Sequence, residues 1–490
     1  MTTSPLAILI DTNVFVAAED HADNEHVHGR AAAEMLRLAS AVGFRVCLSD
    51  ATARDVLNAP AELRRRRRRA LEKYDVLPAA HVPDSVREAF GGTERRQHEN
   101  DLQVVASFAA GVAHFLVSND SQLRSRARRA GLDNVLSLDE AVGYLRTLRA
   151  PRLTLPPAAE RVEPHQVNID APLFDTLKED YDFARWWRTN VVPQRRDVLI
   201  LGDPAAPEAI AVLKPEQGLP EVDGLDASVL KVCTFKVAED AQGLRRGELL
   251  LKSVVELARE KRMPQLYLEV HPHREELVEW LPRFGFSVVG EKPDGQLVCA
   301  KRLHPPPGAP ALDPHAHAVT YGPGSMLVER AHLVPIQERW HRRLLPEASA
   351  QGDLLAGTEA CGNAIRKAYV CHAQTRKIRA GDVLLFVRTQ TGPAHVTAVG
   401  VAERTYVTTR HADLVAAVGT RTVYSSAELA AFCSEGPTLA LLFRLDRRLP
   451  RPWPMADLIS RGVAKRGYQS ITEVRPEGVE WLRSQLAESP

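Results

Sequence analysis

The stretch Ala7-Ile8-Leu9-Ile10-Asp11-Thr12-Asn13 decides how the first third of this chain is read. Four consecutive aliphatic residues ending in polar ones are the mark of a parallel strand buried on both faces. A carboxylate directly after such a strand stands at the edge where open α/β sheets place their ligands. Taken singly, Asp11 is equally a turn or cap residue. Its weight comes from the elements and acids downstream of it. A helix is expected near 29–41, a strand at 44–48 and helices near 51–58, 62–73 and 99–110, with a further strand at 114–117. Strand and helix in alternation predict a parallel sheet covered on both faces.

Three more acids fall at the ends or starts of these elements. Asp55 lies in the helix opened by Ser49-Asp50, Asp101 in the helix containing Glu99-Asn100-Asp101-Leu102, and Asp120 in Ser118-Asn119-Asp120 after the strand 114–117. Four carboxylates brought together repel one another unless a cation neutralises them. Hard oxygen donors of this type select Mg²⁺ or Mn²⁺, and such an ion activates water for phosphodiester cleavage. On Ile10-Asp11-Thr12-Asn13-Val14-Phe15, Asp55, Asp101 and Ser118-Asn119-Asp120, residues 1–148 resemble the PIN-domain ribonucleases. The resemblance implies that Asp11, Asp101 and Asp120 bind the metal. Asp55 assists where that family more often has Glu, and Asn13 and Ser118 orient acids or waters.

The net charge of +1 is unevenly spread. Residues 1–150 are neutral, 151–319 are acidic, and 320–490 carry 22 Lys and Arg against 16 Asp and Glu. The unbroken run Arg64–Arg69 concentrates positive charge on one helix. Its plain reading is a solvated face; its sharper one is a ridge, including Arg64, Arg65 and Arg68, that tracks an RNA backbone. His21, His26 and His28 read as a polar loop rather than a metal cluster. Six scattered cysteines without a CxxC pair suit a reducing compartment, so a cytoplasmic location is expected. The start Met1-Thr2-Thr3-Ser4-Pro5 lacks the features of a signal peptide, and no apolar run reaches the roughly 18–20 residues of a membrane span.

Pro-rich stretches at 149–165 and 304–324 divide the chain and read as spacers. Between them, strands are expected at 198–201, 209–213, 229–237, 265–270 and 297–301, with helices at 247–261 and 274–283. The loop Gln242-Gly243-Leu244-Arg245-Arg246-Gly247 opens the long helix, and free N–H groups at a helix start suit a pyrophosphate. Together with Arg283-Phe284-Gly285-Phe286, this loop makes residues 166–303 look like a GNAT acetyltransferase. The resemblance implies acetyl-CoA on Gln242–Gly247, Glu239 as a base and an acetyl acceptor that the sequence does not identify. Arg245 stands where the loop's first Gly is expected, and Leu281 where the family's general-acid Tyr is frequent.

Residues 325–490 are rich in short β runs, such as Val383–Val387 and Leu439–Phe443, that suggest a small barrel or sandwich. This segment resembles PUA-like domains of the ASCH type, which implies a β-barrel that binds RNA, with Arg447, Arg448, Arg451 and Trp453 as the contact residues. The whole is therefore expected to be an α/β and α+β multidomain protein, a metal-dependent RNA endonuclease joined to two further domains. By resemblance alone it is toxin-like, with an antitoxin-like partner, or RNA-processing. The alternatives are an acetyltransferase that uses the flanking domains to dock RNA, and a non-catalytic RNA sensor.

Overall fold

Ala7–Ile10 forms β1, buried at all four positions, at the centre of a five-stranded parallel sheet. The computed structural model describes residues 6–19, 28–91, 96–149, 158–218, 222–238, 245–346, 364–389, 393–465 and 469–487. After β1 come α1 (Thr12–Glu19), α2 (Gly29–Val42), β2 (Arg45–Ser49), α3 (Asp50–Val56), α4 (Ala61–Leu71), β3 (Asp75–Leu77) and α5 (Asp84–Phe90). Next are α6 (Arg96–Ala109), β4 (Phe115–Val117), α7 (Ser121–Arg129), β5 (Val135–Leu136) and α8 (Leu138–Arg149). The strand order is β3-β2-β1-β4-β5, with every pairing parallel. Ala7 and Leu9 join Val86, Leu102, Val105 and Leu116 in one core layer, while Phe115 meets Phe44 and Tyr144 in another.

The chain continues through β6 (Glu160–Val162), α9 (Asp175–Asp180), α10 (Phe183–Trp186), β7 (Asp197–Asp203), β8 (Ala206–Gln217) and β9 (Ser228–Val237). Beyond these lie α11 (Arg246–Glu260), β10 (Gln265–Val270), α12 (Glu275–Trp280), β11 (Ser287–Glu291), β12 (Leu297–Arg302) and α13 (Pro314–Tyr321). The last stretch holds β13 (Ala331–Gln337), α14 (Glu338–Leu344), β14 (Arg366–Cys371), β15 (Val383–Thr389), β16 (His395–Thr408), α15 (His411–Val418), α16 (Ser426–Glu435), β17 (Thr438–Pro454), α17 (Met455–Ser460), β18 (Thr472–Glu473) and α18 (Pro476–Ala487).

Contacts divide the chain into two compact units. Unit 1 is residues 1–151 together with 408–420 and 424–436, so the helices α15 and α16, which interrupt the run from β16 to β17, belong with the first sheet. The Tyr144 hydroxyl donates to the Val415 carbonyl at 3.0 Å, and Asn134 Nδ2 to the Ala416 carbonyl at 3.2 Å. Unit 2 holds the rest in two sheets. The first is seven-stranded, β11-β12-β10-β9-β8-β7-β6, antiparallel except for β9 against β10. The second runs β14-β17-β16-β15-β13-β18.

Two expectations need correction. The C-terminal sheet is not a closed barrel among the described residues: β14 and β18 are its edges, and β18 is a two-residue strand, too short to close the ring. The segment 304–324 is no free spacer either. It carries α13, capped by Asp313, and two cations from α11 and β12, Lys301 buried and Arg259 half-buried, hold its end. Lys301 Nζ donates to the Thr320 carbonyl at 2.7 Å, and Arg259 to those of Tyr321 and Pro323. Proline stops a helix only beyond its first turn, and Pro314 sits at the start of α13, where it is tolerated. Among the described residues no helix is long and apolar enough to cross a membrane.

Gly285 shows how tightly α13 is docked. It has φ +82°, and a Cβ there would lie 2.3 Å from the Val319 carbonyl oxygen and 2.5 Å from that of Thr320. Gly131 has nearly the same backbone, φ +83°, with nothing within 4 Å of the added atom. Gly131→Ala is therefore expected to cost about 1–2 kcal/mol, from the left-handed backbone alone. Gly285→Ala, which adds the clash, should cost about 3 kcal/mol or more. Chemical denaturation of the two variants checks this, and equal costs would contradict the packing.

Candidate functional site

Asp11 reaches the sheet edge because its amide donates to the Val117 carbonyl at 3.0 Å, fastening the end of β1 to the end of β4. The carboxylate is buried and held by donors on both oxygens. Oδ1 accepts from the Thr12 amide at 2.6 Å; Oδ2 accepts from Asn13 Nδ2 at 2.7 Å and from the Ser118 hydroxyl at 2.8 Å. Ser118 Oγ in turn accepts from the Asp120 amide, and Asn13 Oδ1 from the Asn119 amide. Asp120 spends Oδ1 on the amides of Gln122 and Leu123, capping α7. Asn13 and Ser118 thus hold Asp11 in one orientation and tie it to the turn that presents Asp120.

The electrostatics show that the acids face a common space. Burial, with smaller contributions from Asp120 and Asp55, pushes the Asp11 carboxyl up to about 6 against the pull of Ser118 and Thr12. Burial also raises Asp101, in the second turn of α6, to about 7; Asp11, Asp120 and Asp55 add to the rise, and Arg126 opposes it. Asp11 and Asp101 thus lie within electrostatic reach of each other and of Asp120 and Asp55. Among the described residues no group of three or more His, Cys, Asp or Glu side chains closes to direct metal-ligating geometry. The donor set suits an ion that keeps several waters and takes only one or two carboxylates directly, as Mg²⁺ does.

Two residues here escape sequence reasoning. Arg126 is the cation that faces Asp101, and its guanidinium also lies 5.2 Å from the Phe90 ring centroid. Arg124, buried, donates to the Ser118 carbonyl at 2.5 Å and supports the turn from below. Both come from α7. The arginine run splits by role. Arg64, Arg66 and Arg67 donate to the carbonyls of Ala59, Glu19 and Val56, while Arg65, Arg68 and Arg69 are exposed on α4. Val56 directly follows Asp55, so the ridge begins beside the acid cluster.

In unit 2, β9 and β10 pair only from Leu230–Leu266 to Val232–Leu268, although the strands run on to Val237 and Val270. A bulge at Cys233 in the β8–β9 pairing bends β9 away. Past Val232 the two strands are no longer paired, and at the start of α11 Gly247 lies against Val237 and Trp280. Glu239, Gln242, Gly243 and Leu244 lie outside the described residues. Arg245 takes the left-handed backbone, φ 59°, and its guanidinium pairs with Glu248 rather than pointing outward. Arg246 is buried against Glu208 at 2.7 Å.

The C-terminal residues are scattered. Arg447 is taken up by Asp446 and by the carbonyls of Gly324 and Leu486. Arg448 is half-buried, Trp453 packs against Trp481 with ring centroids 5.2 Å apart, and Arg451 is exposed. Cys371 is half-buried, and burial of its thiol pushes it up to about 11; Cys361, His21 and His26 lie outside the described residues.

Neither protein-family models nor curated proteins give a match to this sequence. Solved structures do. A mutant ASCH protein from Zymomonas mobilis is 11% identical with a TM-score of 0.25, over 32% of this chain and 97% of its own. An IAA acetyltransferase from Bacillus cereus is 16% identical with a TM-score of 0.24, over 30% and 99%. A PaiA N-acetyltransferase from Thermoplasma acidophilum, solved with coenzyme A, is 12% identical with a TM-score of 0.22, over 26% and 79%.

The raised carboxyls predict a pH dependence. Asp11 and Asp101 hold protons to a higher pH folded than unfolded, so between about pH 4 and pH 7 the unfolded chain has already released protons that the folded chain keeps. Stability of unit 1 is thus lost as pH rises through that window. Asp101→Asn should flatten the loss and raise the denaturation midpoint at pH 8. Millimolar Mg²⁺ should stabilise the wild type at pH 8 but not the Asp11→Asn, Asp101→Asn double variant. A wild-type midpoint independent of pH and of Mg²⁺ would refute the coupling.

Proposed function

We propose that unit 1 hydrolyses RNA phosphodiesters with the help of Mg²⁺ or Mn²⁺. One observation carries this: Asp11 and Asp101, buried within electrostatic reach of Asp120 and Asp55, are raised to about 6 and about 7, by burial first and by the neighbouring carboxylates second. Carboxylates held where their ionised form is disfavoured suit a site built for a cation rather than for stability. Asp11 and Asp101 would hold the ion, with Asp120 and Asp55 completing the negative field. When bound, the ion offsets the charge of the carboxylates and of the phosphate, and acidifies nearby water. Asn13 and Ser118 keep Asp11 in place throughout, which avoids reorganisation as charge develops. The Asp101 carboxyl, raised to about 7 without an ion, would give up its proton as the cation arrives. Arg126 tempers its charge, and the exposed Arg65, Arg68 and Arg69 offer a track for the polyanion.

An acyl-CoA site in unit 2 is the second reading, favoured by the divergence of β9 from β10 beside the start of α11. Unpaired backbone groups in that gap can bind an amide-bearing chain laid between the strands. Retention of acetyl-CoA by the full chain, measured calorimetrically, tests it; no heat of binding at millimolar ligand removes it.

For the nuclease, purified protein is incubated with several RNAs and with Mg²⁺, Mn²⁺ or EDTA. Asp11→Asn and Asp101→Asn should each lower cleavage about a hundredfold or more while leaving the fold intact. Cleavage that persists in EDTA or in both variants sinks the proposal. Arg65→Gln combined with Arg68→Gln should weaken RNA binding at low salt and reduce the slope of log affinity against log salt by about 2. An unchanged slope would return the arginine run to a solvated face.

A further inference from the structure

Three guanidinium groups in the second sheet of unit 2 converge on one carboxylate. Arg366 opens β14 and stands directly opposite Arg444 on β17. Arg421 closes the short turn after α15, and Glu403 projects from β16 between them. Arg366 Nε lies 3.3 Å and Arg444 Nη1 3.1 Å from the same Glu403 oxygen, and Arg421 Nη1 meets the other. Like charges directly opposed across a sheet are unfavourable, and one carboxylate cannot balance three arginines. The cluster keeps two positive charges in excess.

That excess is not on the open surface. The Arg444 side chain is 6% exposed, Arg421 17% and Arg366 23%. Nη2 of Arg444 is buried without a hydrogen-bond partner among the described residues. Burial pulls the Arg444 pKa down, Glu403 and more weakly Glu248 oppose the shift, and Arg366 adds to it. The start of α11 adjoins the cluster. The Arg366 amide donates to one Glu248 oxygen and Arg245 Nε to the other at 3.0 Å, so the acid of the helix's first turn is already neutralised. The positive end of the helix dipole then adds to the field instead of being cancelled.

We propose that Arg366, Arg421 and Arg444 form a binding site for a phosphate or diphosphate group of a soluble ligand. A phosphate group carries close to two negative charges at neutral pH, which matches the excess. Planar guanidinium forks engage phosphate oxygens in pairs, so the donor of Arg444 left over by Glu403 has a use. The more accessible Arg421 and Arg366 form the mouth, and Arg444 the floor. A free diphosphate, a nucleotide and coenzyme A all present this chemistry. The site stands on its own, independent of the RNA reading of unit 1 and of an acyl chain between β9 and β10.

Calorimetry on the full chain, with inorganic pyrophosphate, ADP, coenzyme A and its 3′-dephospho form, tests the site and ranks the sources. One pyrophosphate should bind per chain, more weakly as salt rises. Arg421→Gln should weaken binding at least about tenfold, with Arg421→Lys recovering part, while Arg37→Gln, at an exposed arginine of unit 1, has no effect. Glu403→Gln, in protein shown to remain folded, should tighten binding severalfold, a direction that simple structural damage does not produce. The proposal falls if none of the four ligands binds, if Arg421→Gln and Arg366→Gln bind as the wild type does, or if folded Glu403→Gln binds no more tightly. Binding of coenzyme A that ignores Arg421→Gln would keep the acyl-CoA reading and discard this one.

Discussion

The hydrogen bond from the Asp11 amide to the Val117 carbonyl is the joint on which unit 1 turns. It closes the last rung between β1 and β4, the two central strands, at the point where the chain order of the sheet reverses. An apolar strand buried on both faces cannot slip without exposing Leu9 or Ile10, so the rung has one register. It also fixes the side-chain bonds of Asp11 with Asn13 and Ser118, and the placement of Asp120 at the start of α7. The carboxylates are not brought together by attraction. The apolar sheet beneath them fixes where they stand, and their repulsion is the cost.

Much of this frame is legible in the residues because burial and periodicity write it directly. Ala7–Ile10 reads as a strand because all four positions are core, and β10 falls on the expected 265–270 for the same reason. The helix expected near 29–41 spans Gly29–Val42, ended by Gly43 in the left-handed conformation. The aromatic-rich stretch from Asp175 to Trp186 is less regular. Tyr181, with an extended backbone, breaks it into α9 and α10, and stacked aromatic side chains around Phe183 hold the break. At the sheet edge the acids can be guessed from their place after strands and in helix turns. Arg124 and Arg126 cannot, because their relation to the acids depends on how α7 is rotated. The arginine cluster of unit 2 is invisible for a similar reason: Arg366, Glu403 and Arg444 meet through the register of three strands, and Arg421 joins them from the turn after α15.

The two units solve opposite charge problems by the same means. Unit 1 gathers four carboxylates with Arg126 as the cation facing Asp101. Unit 2 gathers three arginines around Glu403. Neither arrangement is what packing alone would select, since apolar residues of similar volume in such places are often as stable or more so. The contrast with Lys301 is instructive. It is fully buried and its charge is strongly disfavoured, yet its ammonium end is satisfied by the carbonyls at the end of α13. A buried cation that closes its own hydrogen bonds is scaffold. A cluster whose charge remains unbalanced implies a ligand of the opposite sign.

The insertion of α15 and α16 gives unit 1 an unusual dependence on the far end of the chain. Tyr144 and Val415, bonded to each other, are separated by 271 residues, and Asn134 and Ala416 by 282. Contacts of such separation carry a closure entropy that only prior folding of the intervening chain can reduce. Here that chain is most of unit 2, and the helix pair leaves it between β16 and β17, two of the longest strands in its second sheet. Once those strands pair, the ends of the insertion are fixed and the loop to be closed is shorter than sequence distance suggests. The packing of unit 1 against Val415 and Ala416 therefore depends on a segment that follows most of unit 2 in the chain, so a site carried by unit 1 rests on a scaffold drawn from two well-separated stretches of sequence.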